Sequence, residues 1–137
     1  AGRLLLTRIR ELIQNKESFG FETTLSGRGY VRLFKRLRAD GYQIVLFFLW
    51  LPNSDMAVSR VKARVRQGGH HVPEPIIRRR YKSGLLNALS LYKPLAHIFR
   101  VYDASYLPPK IVAHEEGGKV EVFDIGVFEK ITKNIRT

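Results

Sequence analysis

Tyr42 to Leu51, YQIVLFFLWL, is the stretch on which the fold turns. Apart from Gln43 it is apolar and shows no alternation, the pattern expected of a strand covered on both faces in a parallel sheet. Gly41 just before it is a good stop for a preceding helix, and Pro52 just after it ends the strand. Downstream, Asn53 or Ser54 can cap a helix that runs to about Arg66, and Gln67-Gly68-Gly69 is a flexible break. Pro73 opens a further helix to about Tyr92, and Leu95 to Tyr102 reads as another strand. Upstream, Ser18 to Leu25 (SFGFETTL) has strand character, and Ser26-Gly27 starts a helix that reaches Asp40-Gly41. At the N-terminal end, Leu5, Ile9, Leu12, Leu6 and Ile13 share one face at helical spacing, so residues 2–16 are expected to form an amphipathic helix.

Strand, helix, strand, helix, helix, strand is the order of a parallel α/β sheet with right-handed crossovers. The C-terminal end differs. Lys110 to His114 and Lys119 to Phe123 flank Glu115-Glu116-Gly117-Gly118, a hairpin signal, with a short helix expected from Ile125 to Lys133. With 137 residues and 45% hydrophobic content, the chain is expected to be a single domain over 1–137, an incomplete parallel sheet with a C-terminal hairpin after residue 105.

The formal charge of +12 calls for an anionic partner: nucleotide, phosphosugar, nucleic acid or acidic protein. There is no cysteine, which removes disulfides and thiolate metal sites. The apolar run Ile44 to Leu51 is far short of the roughly 20 residues that cross a bilayer. No signal-peptide layout is present, so a cytoplasmic protein without a membrane partner is expected.

In parallel sheets ligands sit beyond the carboxyl ends of the strands. That rule picks out Glu22-Thr23-Thr24-Leu25-Ser26, Pro52-Asn53-Ser54 and Asp103-Ala104-Ser105. Glu22 can accept a hydrogen bond from a substrate hydroxyl, and Thr23, Thr24 and Ser26 offer short-range donors. The plainer alternative makes Ser26 an N-cap and pairs Glu22 with an arginine. Between Arg60 and Lys82 eight cationic side chains face one acid, Glu74. The planar fork of arginine suits phosphate oxygens, and two basic helices joined at a Gly-Gly break have the build of a lid over an anion. Arg64, Arg66 and Arg78 are the preferred functional members, Arg78 as a contact to the bound nucleotide; a solvated helix face is the alternative. His70 and His71 lack a third ligand nearby, so no metal site is expected from the protein itself. Trp50 and the phenylalanines around it are assigned to the core.

In order and spacing, AGRLLLTRIRELI, SFGFETTLSGRGY, GYQIVLFFLWLP and RVKARVRQGGHHVPEPIIRRRY resemble the zeta toxin family of P-loop kinases, from Ala1 to about Ser105. That resemblance implies a P-loop NTPase-like fold, Mg-ATP as cofactor, and transfer of a phosphoryl group to a small-molecule hydroxyl such as that of a UDP-activated amino sugar. It further implies that Glu22 and Thr24 face the acceptor, that Arg64 and Arg66 reach the ATP phosphates as the catalytic pair, and that Asp103 and Ser105 lie near the adenine, with Ala104 where the family has Asn. An antitoxin protein or a homo-oligomer would be the protein partner. The chain carries no Gly-Lys-Ser/Thr turn, and the family's Walker lysine and general-base aspartate lie upstream of anything equivalent to Ala1. The chain is therefore expected to be the C-terminal portion of such a kinase and to bind ATP poorly by itself. A catalytically inactive remnant, or a basic module for nucleic acid or a protein partner, is the alternative, although Tyr81 is the only aromatic residue interleaved in the basic segment.

Overall fold

The computed structural model describes residues 2–136, with side chains from 3 to 133. In chain order the elements are α1 (Gly2–Gln14), α2 (Tyr30–Ala39), β1 (Val45–Trp50), α3 (Ser54–Arg66), α4 (Glu74–Asn87), β2 (Ile98–Asp103), β3 (Lys110–Glu116), β4 (Lys119–Val122) and α5 (Ile125–Arg136). The helix that begins as α4 widens and then tightens before the next strand, through a π turn at Ala88–Tyr92 and a 3-10 turn at Lys93–Leu95.

The sheet has four strands in the order β1-β2-β3-β4 and is open and mixed. Only β1 and β2 run parallel, and their connection is the crossover through α3 and α4. β3 and β4 follow as an antiparallel hairpin that extends the same sheet, closed by Gly117 and Gly118, both at positive φ as a two-residue hairpin turn requires. A bulge at Val101/Tyr102 leaves Val112 as the extra residue of β3, buried in the core.

The expected parallel pairing is present in β1 and β2, and the expected C-terminal hairpin extends that sheet. The strand expected over Ser18 to Leu25 is absent, and the chain is irregular from Glu17 to Leu25. Its apolar side chains are nonetheless placed. Phe19 meets Tyr42 edge-on at 5.9 Å, and Phe21 lies 5.2 Å from Tyr30. Aromatic packing onto α2 and its neighbours thus takes the role that strand pairing was expected to play. Ser26 is no N-cap either, because α2 begins at Tyr30 behind Gly29 without a side-chain cap.

Leu46, Phe48 and Trp50 point from β1 into a core shared with Phe99 and Val101 of β2, Leu85 of α4 and Ile131 of α5. A second core gathers Phe34 and Leu37 of α2 with Leu25, Ile44, Ala88 and Tyr92. On the opposite side of β1, Val45, Phe47 and Leu49 are 46%, 55% and 58% exposed. Strand β1 is also the sheet's edge, so the run expected to be covered on both faces is covered on one. Phe47 is accordingly no core residue: it lies on the open face against Tyr102 at 5.9 Å, with the Arg100 guanidinium 5.8 Å from its ring.

Candidate functional site

Strand β1 ends at Trp50, and the chain turns through Pro52 into α3, whose first turn is capped by Asn53 accepting from the Met56 amide at 3.0 Å. Helices α3 and α4 lie side by side as a hairpin joined by residues 67–73. The turn is set at Gly68, at positive φ, and at Gly69, whose amide donates to the Arg64 carbonyl at 2.7 Å. A Cβ at Gly69 would stand 2.9 Å from that carbonyl oxygen, so the chain can fold back this closely only without a side chain.

Arg78 fixes the base of the hairpin. It donates to Ser54 Oγ at 2.8 Å, Asp55 Oδ1 at 2.7 Å and Glu74 Oε1 at 2.8 Å, which ties α4 to the first turn of α3. The guanidinium holds the Glu74 carboxyl below its ordinary range through hydrogen bond and charge together, with Lys62 adding to the effect. Expected at a bound nucleotide, Arg78 is thus engaged by three protein acceptors. Arg64 and Arg66 sit on exposed positions at the far end of α3, and the contact of Arg66 is a long one, Nε to the Lys62 carbonyl at 3.5 Å.

The loop before α2 is locked onto α4. Asn87, buried, donates from Nδ2 to the Leu25 carbonyl at 2.8 Å, and Tyr92 donates its hydroxyl to the Gly27 carbonyl at 2.7 Å. Gly84 lets the two backbones touch, since a Cβ there would fall 2.4 Å from the Thr24 carbonyl oxygen. Within the loop Leu25 is held at φ 55°, its amide donating to Thr23 Oγ1 at 3.2 Å, while the Thr24 and Ser26 hydroxyls share a 2.9 Å hydrogen bond. The hydroxyls of Thr24 and Ser26 are therefore brought together beside α4, and Glu22 and Thr23 remain on the solvent side.

At the carboxyl end of β2, Asp103 is buried and folds back on its own turn, Oδ1 accepting from the Ser105 amide at 3.0 Å and the Ser105 hydroxyl at 2.6 Å. Arg60 of α3 donates to the Ala104 carbonyl and clamps this turn under the hairpin.

Two hollows lie along α3 and α4, sharing Val61, Val72 and Ile77 as lining. The inner one, about 230 Å³, opens at the carboxyl end of β1 and is lined by Thr24, Leu49, Leu51, Arg80, Tyr81 and Gly84 among others. Tyr81 donates to the Leu51 carbonyl at 2.6 Å, and burial pushes its phenol upward. The outer hollow, about 490 Å³, carries Lys62, Arg66, His71 and Glu74 on its rim. Gly84 and Asn87 were not singled out in the sequence, and Arg60, Arg80 and Tyr81 entered only as members of the basic segment. The signal that could have found most of them is the spacing Ile77, Arg80/Tyr81, Gly84, one face of α4 with a glycine in mid-helix. Among the described residues no three His, Cys, Asp or Glu side chains come together as metal ligands, and no helix is long and apolar enough to cross a membrane.

These features define an α/β protein with a four-stranded open mixed sheet and a basic helical hairpin at the carboxyl ends of its parallel strands. No protein-family model matches the chain, and no solved structure matches it. A Haemophilus influenzae protein described as an uncharacterized protein is 31% identical over 81 residues, which cover 59% of this chain. The chain spans 58% of that relative's length.

Proposed function

We propose that this chain is the acceptor-side and lid portion of a zeta-toxin-like P-loop kinase, which moves the γ-phosphoryl group of ATP to the hydroxyl of a small molecule such as a UDP-activated amino sugar. The observation that carries the reading is the hairpin of α3 and α4. It leaves β1 at its carboxyl end, lies against the Thr24 loop, and holds Arg64 and Arg66 on exposed positions at its far end. A hinged pair of cationic helices at this edge of a parallel strand pair is built to close over phosphate.

In that role Arg64 and Arg66 stabilise negative charge on the transferring group, for which the guanidinium fork is suited. Thr24 and Ser26 present hydroxyls to the acceptor, Glu22 takes the hydrogen bond of the attacking hydroxyl, and the closed Asp103-Ser105 turn forms a fixed wall on the nucleotide side. Magnesium ATP supplies the phosphoryl group; the chain's arginines fit its phosphates, whereas a glycine-rich phosphate cradle is not among these residues.

The test uses the protein isolated from its own source, with its intact mass determined, in a radiolabelled phosphoryl-transfer assay with ATP and UDP-N-acetylglucosamine. Label should enter the sugar nucleotide, and Arg64→Ala or Arg66→Ala should lower turnover about 100-fold while the melting temperature stays put. Loss of melting temperature in parallel with turnover would assign these arginines to the fold, and no transfer of label from ATP to any hydroxyl acceptor would remove the kinase reading.

A further inference from the structure

The space between α3 and α4 has a chemistry of its own that phosphoryl transfer does not require. The inner and outer hollows share Val61, Val72 and Ile77 as walls. In the outer one Val58 and Val65 complete the apolar lining, and it forms a trough along the hairpin. With a volume of about 490 Å³ this trough lies in the range that holds a small organic molecule.

Its rim is cationic. Lys62 and Arg66 stand at the outer hollow and Arg80 at the inner one. Of the neighbouring acids, Glu74, on the outer rim, and Asp55, at the hairpin's base, are both held by Arg78 at 2.8 and 2.7 Å, and Lys62 acts on Glu74 through charge without a direct ion pair. Among the described residues Lys62, Arg66 and Arg80 take part in no salt bridge; the one side-chain hydrogen bond of the three is that of Arg66 to the Lys62 carbonyl. A trough with aliphatic walls and unpaired cations on its rim is complementary to one kind of ligand. It fits a molecule with an apolar body and an anionic head.

We infer that the outer α3–α4 trough binds an amphiphilic phosphate ester, its hydrocarbon portion against Val61, Val72 and Ile77 and its phosphate on Lys62 and Arg66. Each wall residue comes from a different part of the hairpin, Val61 from α3, Val72 from the connecting loop and Ile77 from α4, so the ligand's apolar part would also set how far the hairpin closes. This inference stands on the trough alone and holds whether or not the chain takes part in phosphoryl transfer.

Calorimetric titration of the full chain with octyl phosphate below its micelle concentration, beside inorganic phosphate and octyl glucoside, tests it without ATP. Octyl phosphate should saturate one site and bind at least about tenfold tighter than either half-molecule analogue. Val61→Phe, which fills the shared wall, should weaken octyl phosphate about tenfold or more and leave inorganic phosphate unchanged; Lys62→Ala should weaken both phosphates. If Val61→Phe unfolds, judged by circular dichroism, Val65→Phe on the outer wall replaces it and should likewise discriminate against octyl phosphate. Equal binding of octyl phosphate and inorganic phosphate would overturn the inference, as would an unaffected Val61→Phe. Binding to phosphatidic acid vesicles with no saturable octyl phosphate site would overturn it too, and would make the rim a membrane-surface contact.

Discussion

At the scale of single residues, Arg78 shows how one side chain separates structural from available charge. Its three acceptors lie on two helices, so removing the guanidinium unties Ser54 and Asp55 from Glu74 in a single step. Contact with Arg78 lowers the Glu74 pKa and raises that of Arg78 itself. A depressed carboxylate stabilises the fold above the ordinary glutamate pKa and loses that contribution as the pH falls through its lower, folded value. NMR titration should therefore find Glu74 ionised below the usual glutamate range in the native chain, and Arg78→Ala should return it toward that range. The acid limb of the stability profile should flatten between the two values in the variant. An unchanged Glu74 titration in Arg78→Ala would show that Lys62, the weaker contributor, carries the shift. Both side chains are more than a third exposed, so the contribution is small and screened by salt.

At the scale of elements, Gly84 is the position where helix propensity and packing give opposite signs. Alanine in mid-helix ordinarily gains about 1 kcal/mol over glycine. Here the added methyl group would fall 2.4 Å from the Thr24 carbonyl oxygen, a backbone atom that cannot swing away as a side chain would. Gly84→Ala should thus destabilise the chain by about 1–3 kcal/mol in urea unfolding, and the Thr24 and Ser26 amides should shift most in an NMR spectrum. A more stable variant would mean that the loop is not seated on α4 as described. The same region shows what the sequence could and could not reveal. The end of β1, the Asn53 cap, the glycine break and the Gly117-Gly118 hairpin were legible because each rests on local chemistry: a proline, a capping side chain, residues that tolerate positive φ. Residues 18–25 were misread because Phe19 and Phe21 alternate with polar neighbours whether they face a sheet or, as here, Tyr42 and Tyr30. A run as uniformly apolar as VLFFLW carries no alternation to show that only one of its faces is covered. Within the candidate site, the cationic cluster was legible as composition, but which members were bound to Asp55 or Ala104 depends on contacts 23 and 44 residues apart in the chain.

At the scale of the whole molecule, charge and apolar surface are segregated. Gly41 to Ser54 holds no charged residue, although the chain carries +12. That neutral stretch contains β1, whose outer backbone edge is unpaired and whose Val45, Phe47 and Leu49 face solvent on one side. Edge strands ordinarily avoid adhesion through a charge, a proline, a bulge or a cover, and β1 has none of these along Val45 to Trp50. Net repulsion between copies works against contact, but over more than about 10 Å it is screened at ordinary salt, whereas apolar burial at β1 is not. The isolated chain should therefore associate with rising concentration and bind a hydrophobic dye, and added salt should strengthen association rather than dissolve it. Phe47→Lys places a charge at the centre of the exposed row. Because Phe47 is 55% exposed, that substitution should cost no more than about 1 kcal/mol of stability, mostly its contacts with Tyr102 and Arg100. It should nevertheless abolish the concentration dependence in sedimentation velocity and most of the dye binding. If Phe47→Lys associates as the parent does, the adhesive surface lies elsewhere, and the exposed Phe123 and Ile125 next to β4 are where to look for it.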